Sequence, residues 1–237
     1  MNRILKADWY KLSKHKKIII YFVLLSILYL SINYIDGESH TSYFEMLCTE
    51  SSGLIMMILS IVAAVFTCTG FFDNTAFYEV MTGNSIHKII VSKLTVICLY
   101  VSTTYMILYL AANFIYNTIY DTSNPKDYFV SLVLLYVIFL HCSLIGVMGV
   151  LASRQPAGIA VSYIRIMFID ELFLMIVGLF PEKCSGISLW SIQMQFFQLA
   201  SDSISTELVL KIILSTIIEL AIWYVISYIG YKKKKFK

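Results

Sequence analysis

Apart from Lys211 at the edge of one run, five acidic, basic or imidazole side chains lie inside apolar runs of this chain: His141, Arg165, Asp170, Glu171 and Glu219. Acid–base chemistry would need such groups within hydrogen-bond reach of one another. An intramembrane enzyme built on His141, Asp170 and Glu171 is therefore one reading, but neither an HExxH pair nor a Glu-Glu-x-x-x-Arg array occurs. No GxxxxGK[ST] loop is present to cradle a nucleotide phosphate. No Cys-x-x-Cys or Cys/His spacing marks a metal site. What charges in an apolar run do demand is compensation. Either they line a polar translocation path, or they satisfy one another and hold helices together.

The demand is greatest at residues 158–180, which carry Arg165, Asp170 and Glu171 among 13 Leu, Ile, Val and Phe residues. At the centre of a membrane helix three such charges cost about 7–10 kcal/mol, and the apolar residues return about 4–8 kcal/mol. Alone, that helix is marginal. Arg165 is close enough to one end to snorkel. Asp170 and Glu171 are deeper, as are His141 and Glu219 in their own runs.

The elements that must position these groups are six hydrophobic runs, near residues 18–35, 54–72, 94–116, 128–151, 158–180 and 208–231. Each has about the 17–25 residues that a helix needs to cross a ~30 Å hydrocarbon layer. Backbone in hydrocarbon must satisfy itself, as helices do. The expected fold is all-α, a single integral-membrane domain over residues 1–237. A hydrophobic fraction of 59% against 14% charged residues suits no water-soluble domain of this length. The gaps leave no room for a folded soluble domain. Residues 18–35 do not read as a cleaved signal peptide, because the run is long and no small-residue cleavage site follows.

Basic residues occupy alternate gaps. Arg3, Lys6, Lys11, Lys14, Lys16 and Lys17 precede the first run, Lys88 and Lys93 follow the second, Arg154 the fourth, and Lys232–Lys235 with Lys237 the sixth; these are 14 of the 18 Lys and Arg residues. The other gaps collect acids, among them Asp36, Glu38, Glu45, Glu50, Asp121 and Glu182. By the positive-inside rule both termini are cytoplasmic in a multi-pass cell-membrane protein. The net charge of +3 is then a topological signal, and no nucleic-acid partner follows from it.

Three segments are more than spans. Residues 2–16 place Ile4, Leu5, Trp9 and Leu12 at helical spacing with Lys6, Lys11 and Lys14 around the rest, the pattern of a helix in the membrane interface near anionic lipid. Residues 71–93 place Phe77, Val80 and Met81 on one helical face after a cap at Asn74 or Thr75. Gly83-Asn84-Ser85 supplies a stop, and Ser85 caps the helix that continues into the third run. This short cytoplasmic helix is either a docking knob for a partner or a loop folded against its own bundle. Residues 181–206 mix Trp190 with Gln193, Gln195 and Gln198, as short helices in the outer interface do.

Smaller signals complete the reading. Cys142xxxGly146 and Gly149xxxSer153 permit close helix approach. Cys68, Cys98 and Cys142 read as packing residues, while Cys48 and Cys184 share the outer side, where a disulfide can form. The 17 tyrosines read mostly as interface anchors.

The order Phe77-x-Glu79, Gly83, the Ser85 turn, His87-Lys88 and Lys93 opening the next span resembles the permeases of type-2 ATP-binding-cassette (ABC) exporters. The family places a Glu before a Gly-Thr pair and then a Ser-Arg; here Thr82-Gly83 is reversed and His87-Lys88 stands where Arg is usual. The six-span plan, the basic amphipathic start and the long outer segment before the last span agree as well. The resemblance implies that residues 74–85 act as a coupling helix in a groove of an ATPase, with Glu79 facing that partner and Gly83 allowing the turn. It implies outer helices that dip back into the membrane, and a second permease half, identical or related. ATP and Mg would then be bound by a cytoplasmic ABC ATPase dimer, with no cofactor in this chain. Small permeases of this kind resemble those of bacteriocin immunity, antibiotic resistance and peptide export, so the expected cargo is an antimicrobial peptide, antibiotic or lipid-like molecule. A self-sufficient channel or secondary carrier is the remaining alternative, and the internal repeat that would favour it is not visible.

Overall fold

A computed structural model describes residues 2–35, 42–49, 52–72, 83–122, 127–153, 155, 157–179, 190–200 and 204–233. Among them every regular element is helical. They are α1 (Asn2–Lys14), α2 (Lys16–Ile35), α3 (Tyr43–Thr49), α4 (Ser52–Phe72), α5 (Ile86–Tyr120), α6 (Tyr128–Ser153), α7 (158–179), α8 (Ile192–Leu199) and α9 (Thr206–Lys233). Four helices, α4, α5, α6 and α9, are long and apolar enough to cross a membrane. Helix α2 is continuous over 20 residues, and α7 carries the three charges described above.

Exposure follows the membrane pattern. Phe114, Phe129 and Phe168 are 73%, 77% and 66% exposed, in company with many Leu, Ile and Val side chains. An apolar surface of that extent is sustained in lipid rather than water. Helix α9 makes the point along its length: Leu208, Ile212, Ser215, Glu219, Trp223 and Ser227 form its inward stripe, while Leu210, Ile217, Ile222 and Val225 face out. Ser215, Glu219 and Ser227 thus point to protein, and most of its large aliphatic residues point away.

Helix α6 is the hub. It packs against α4, α9, α5 and α7, and more lightly against α8. Residues 141–151 of α6 are buried on every side, and Ser131, His141, Cys142 and Ser143 are buried among its Leu, Ile and Val residues. Gly146 and Gly149 let its neighbours in. A Cβ on Gly146 would fall 2.0 Å from the Ser60 carbonyl oxygen of α4, and one on Gly149 would fall 2.9 Å from the Gly158 carbonyl oxygen of α7. The small-residue spacing thus corresponds to two real backbone approaches.

One end of the bundle gathers α1, the start of α5, the end of α6 and the end of α9. Asp8 of α1 bonds Lys93, His87 of α5 bonds Tyr224 of α9, and Gly230 of α9 lies against the Ala152 carbonyl of α6. Lys11, Lys14, Lys88, Lys93 and Lys232 therefore share an end.

The opposite end is closed by α3 and α8, which touch one another. Ser42 and Glu45 form a capping box: Ser42 N–H donates to Glu45 Oε2 at 3.2 Å and Glu45 N–H to Ser42 Oγ at 3.3 Å. That Ser-x-x-Glu signal lies in a stretch that hydrophobic runs alone leave as a gap. Tyr43, Phe44, Met46, Leu47 and Cys48 are consequently buried. Tyr43 donates to the Leu30 carbonyl at 2.9 Å and packs on Tyr109 and Tyr116. These three tyrosines and Tyr105 are core residues, unlike the interface anchors expected of the type. Cys48 is a free cysteine, its thiol pushed up by burial and by nearby Glu45. Cys184, its expected partner, lies outside the described residues.

Candidate functional site

Four of the five intramembrane ionisable residues come together. Arg165 Nε and Nη2 donate to Glu219 Oε1 and Oε2 at 2.6 and 2.9 Å, a two-point pair, and Nη1 reaches Asp170 Oδ1 at 3.3 Å. His141 Nε2 donates to Glu219 Oε2 at 2.8 Å, and Trp223 Nε1 to Oε1 at 3.1 Å. Asp170 Oδ2 accepts from Ser191 Oγ at 2.9 Å and from the Gln193 N–H at 3.0 Å. One guanidinium thus faces two carboxylates, and further hydrogen-bond partners from α6, α8 and α9 complete their shells. His141, Arg165 and Asp170 are at most 9% exposed, so this is a desolvated cluster in which pairing is obligatory.

The backbone makes the meeting possible. Five residues of ordinary α-helix turn through about 500°, which would set Arg165 and Asp170 roughly 140° apart. Helix α7 instead contains a π-turn over Arg165–Ile169, whose wider winding brings the two side chains toward one face. Arg165 consequently turns into the bundle instead of snorkelling to its end. Ser191 caps α8 by accepting from Met194 N–H at 3.4 Å. Its hydroxyl and the first turn of α8 are held by Asp170, so the carboxylate ties α8 to α7 at the helix N-terminus, where negative charge is favoured. Gln195 of α8 donates to Ser215 of α9 at 3.0 Å. Glu171 is apart from all of this, on the exposed side of α7.

A second polar cluster occupies the lysine-rich end. Asp8 Oδ2 accepts from Ser92 Oγ at 2.5 Å and Oδ1 from Lys93 Nζ at 3.2 Å, with both charged side chains buried. Asp8 lies four residues from each of Ile4 and Leu12, so the three form the inward stripe of α1. Trp9 is outside that stripe, 55% exposed, its ring 6.0 Å edge-on to Tyr100. Lys11 borders a small cavity with Asp8 and Lys93, and Lys14 Nζ lies 4.7 Å over the Tyr10 ring. Sequence reasoning missed Asp8. Its signal is a lone acid on the apolar stripe of an otherwise basic helix. Asp8→Ala leaves the buried Lys93 ammonium without its carboxylate and is expected to lower stability by about 3–5 kcal/mol, read as a fall in Tm of the detergent-solubilised protein.

The Ser85 cap has the expected geometry. Gly83 has φ +80°, a left-handed conformation that favours glycine, and Ser85 accepts from Lys88 N–H as the cap of α5. His87 and Lys88 are exposed on the first turn of α5. Phe77 and Glu79, with the rest of the helix expected before Gly83, lie outside the described residues. No family profile, curated protein or solved structure matches this chain.

Proposed function

We propose that the chain is the membrane-spanning half of a type-2 ABC exporter, with six spans and both termini in the cytoplasm. A separate ATPase hydrolyses ATP, and a second half, identical or related, completes the path. The observation that carries this reading is the clasp of Asp8 with Ser92 and Lys93. It fastens the amphipathic α1 to the base of α5 directly after the Gly83–Ser85 turn, so displacement of residues 74–85 by a partner moves α1 and α5 together. At the other end Asp170 and Arg165 link α8 to α7 and α9, which suits an outer closure that opens when those helices part. A hydrophobic or amphipathic cargo such as an antimicrobial peptide or lipid-like antibiotic fits the apolar character of the chain.

Two experiments test the reading. Gly83→Leu forces a bulky side chain into a left-handed backbone position, at a cost of about 1–2 kcal/mol confined to the turn. Membrane insertion is expected to remain normal while co-purification with a partner ATPase falls; unchanged co-purification and transport would defeat the coupling role. Glu171→Gln removes an exposed charge without touching the buried cluster. Export is expected to fall in a fully inserted protein, and wild-type export would take Glu171 off the path.

A further inference from the structure

A groove of about 810 Å3 runs between the first half of α5, α6 and the second half of α9. Leu94, Leu99, Leu144, Ile217, Leu220 and Val225 line its length. That volume is in the range that holds a small organic molecule, and the Thr95 and Thr216 hydroxyls on its walls are each turned to a carbonyl of their own helix, Val91 and Ile212, at 2.8 Å. Leu99, Ile217 and Val225 are each about half exposed, so the groove is open on its flank. Both flanking helices are long and apolar enough to cross a membrane, so the filling molecule enters from hydrocarbon rather than water.

One end of the groove has a different character. His87 Nδ1 is 2.6 Å from the Tyr224 hydroxyl, and both residues belong to the wall. Exposed Lys88 adjoins His87, and exposed Lys232 follows Tyr224 on α9 by two helical turns. Positive charge is therefore concentrated at one mouth of an otherwise aliphatic slot. A molecule complementary to both parts has a long apolar body and an anionic head.

We propose that the groove is a binding site for an anionic phospholipid of the surrounding bilayer, one acyl chain lying between α5 and α9 and the phosphate facing His87 and Lys88. Resident lipid would brace α5 against α9, which pack on one another through the Ile86–Lys93 segment. The assignment is independent of whether an ATPase drives the chain.

The test is to reconstitute the full chain in vesicles of equal phosphatidylglycerol and phosphatidylcholine, re-extract it in mild detergent, and quantify retained phospholipid by mass spectrometry. Wild type is expected to retain phosphatidylglycerol in preference to phosphatidylcholine by about fivefold or more, the worth of one basic residue near an anionic surface. Ala221→Trp and Thr95→Trp, which fill the groove from opposite walls, are expected to abolish retention; the pair is used so that one misfolded variant does not decide the result. His87→Gln with Lys88→Gln is expected to retain lipid but lose the headgroup preference. Equal retention in wild type and a folded groove-filled variant would overturn the site. So would displacement of the lipid by inorganic phosphate alone, or a disulfide between two copies bearing Ala221→Cys, which would seat a second chain in the groove.

Discussion

Arg165→Met is expected to destabilise the protein by about 3–5 kcal/mol. The guanidinium compensates both Glu219 and Asp170, and removing it leaves two carboxylates facing a buried site. Simultaneous replacement of Arg165, Asp170 and Glu219 by Met, Asn and Gln removes the charges together and is expected to recover much of that loss, because a buried ionic network replaced as a whole is often nearly neutral. Thermal unfolding of the single and triple variants in detergent measures both. If the triple variant is as unstable as Arg165→Met, charge compensation is not what the cluster provides. Under the export reading proposed above, a stable triple variant also separates the two meanings of these residues: retained export would make them structural, and lost export in a folded protein would make them part of the path.

Gly146→Leu is expected to prevent the packing of α4 on α6. Even the first added carbon would fall 2.0 Å from the Ser60 carbonyl oxygen and 3.0 Å from the Ala64 nitrogen. Both are backbone atoms of a helix and cannot rotate away, so the two helices must separate. Gly146→Ala alone is expected to lower stability by about 1–3 kcal/mol, and Leu by more. Gly178 is the control: nothing lies within 4 Å of its added carbon, and Gly178→Ala is expected to be neutral or to stabilise by up to about 1 kcal/mol through helix propensity. Cross-linking between cysteines placed on α4 and α6 reads the separation directly. Wild-type cross-linking in Gly146→Leu would mean that the close approach is dispensable.

The glycines illustrate how far the sequence reaches. Cys142xxxGly146 and Gly149xxxSer153 identify α6 as a helix others approach closely, because the absence of side chains is a local property. Which helices approach is not local: Gly146 receives α4, and Gly149 receives the start of α7. Asp8 and the Ser42/Glu45 capping box were also legible, since a stripe residue and a four-residue cap are short-range patterns. Hydrophobic runs outweigh such signals in a first reading because their free energy is summed over some twenty residues.

By itself the sequence indicated that the chain is helical, that it carries six apolar runs of spanning length, four of which the structure shows as helices long and apolar enough to cross a membrane, and that lysines collect between alternate runs. These are additive properties of contiguous residues, and no tertiary contact is needed to set them. The tertiary structure alone decided which buried charges meet. His141, Arg165, Asp170 and Glu219 converge because α6, α7 and α9 pack in one register and a π-turn rotates Arg165 toward Asp170, whereas Glu171, one residue further on, is left exposed. Adjacent residues on a helix point about 100° apart, so membership of the cluster depends on helix rotation and local winding, which no spacing in the chain encodes.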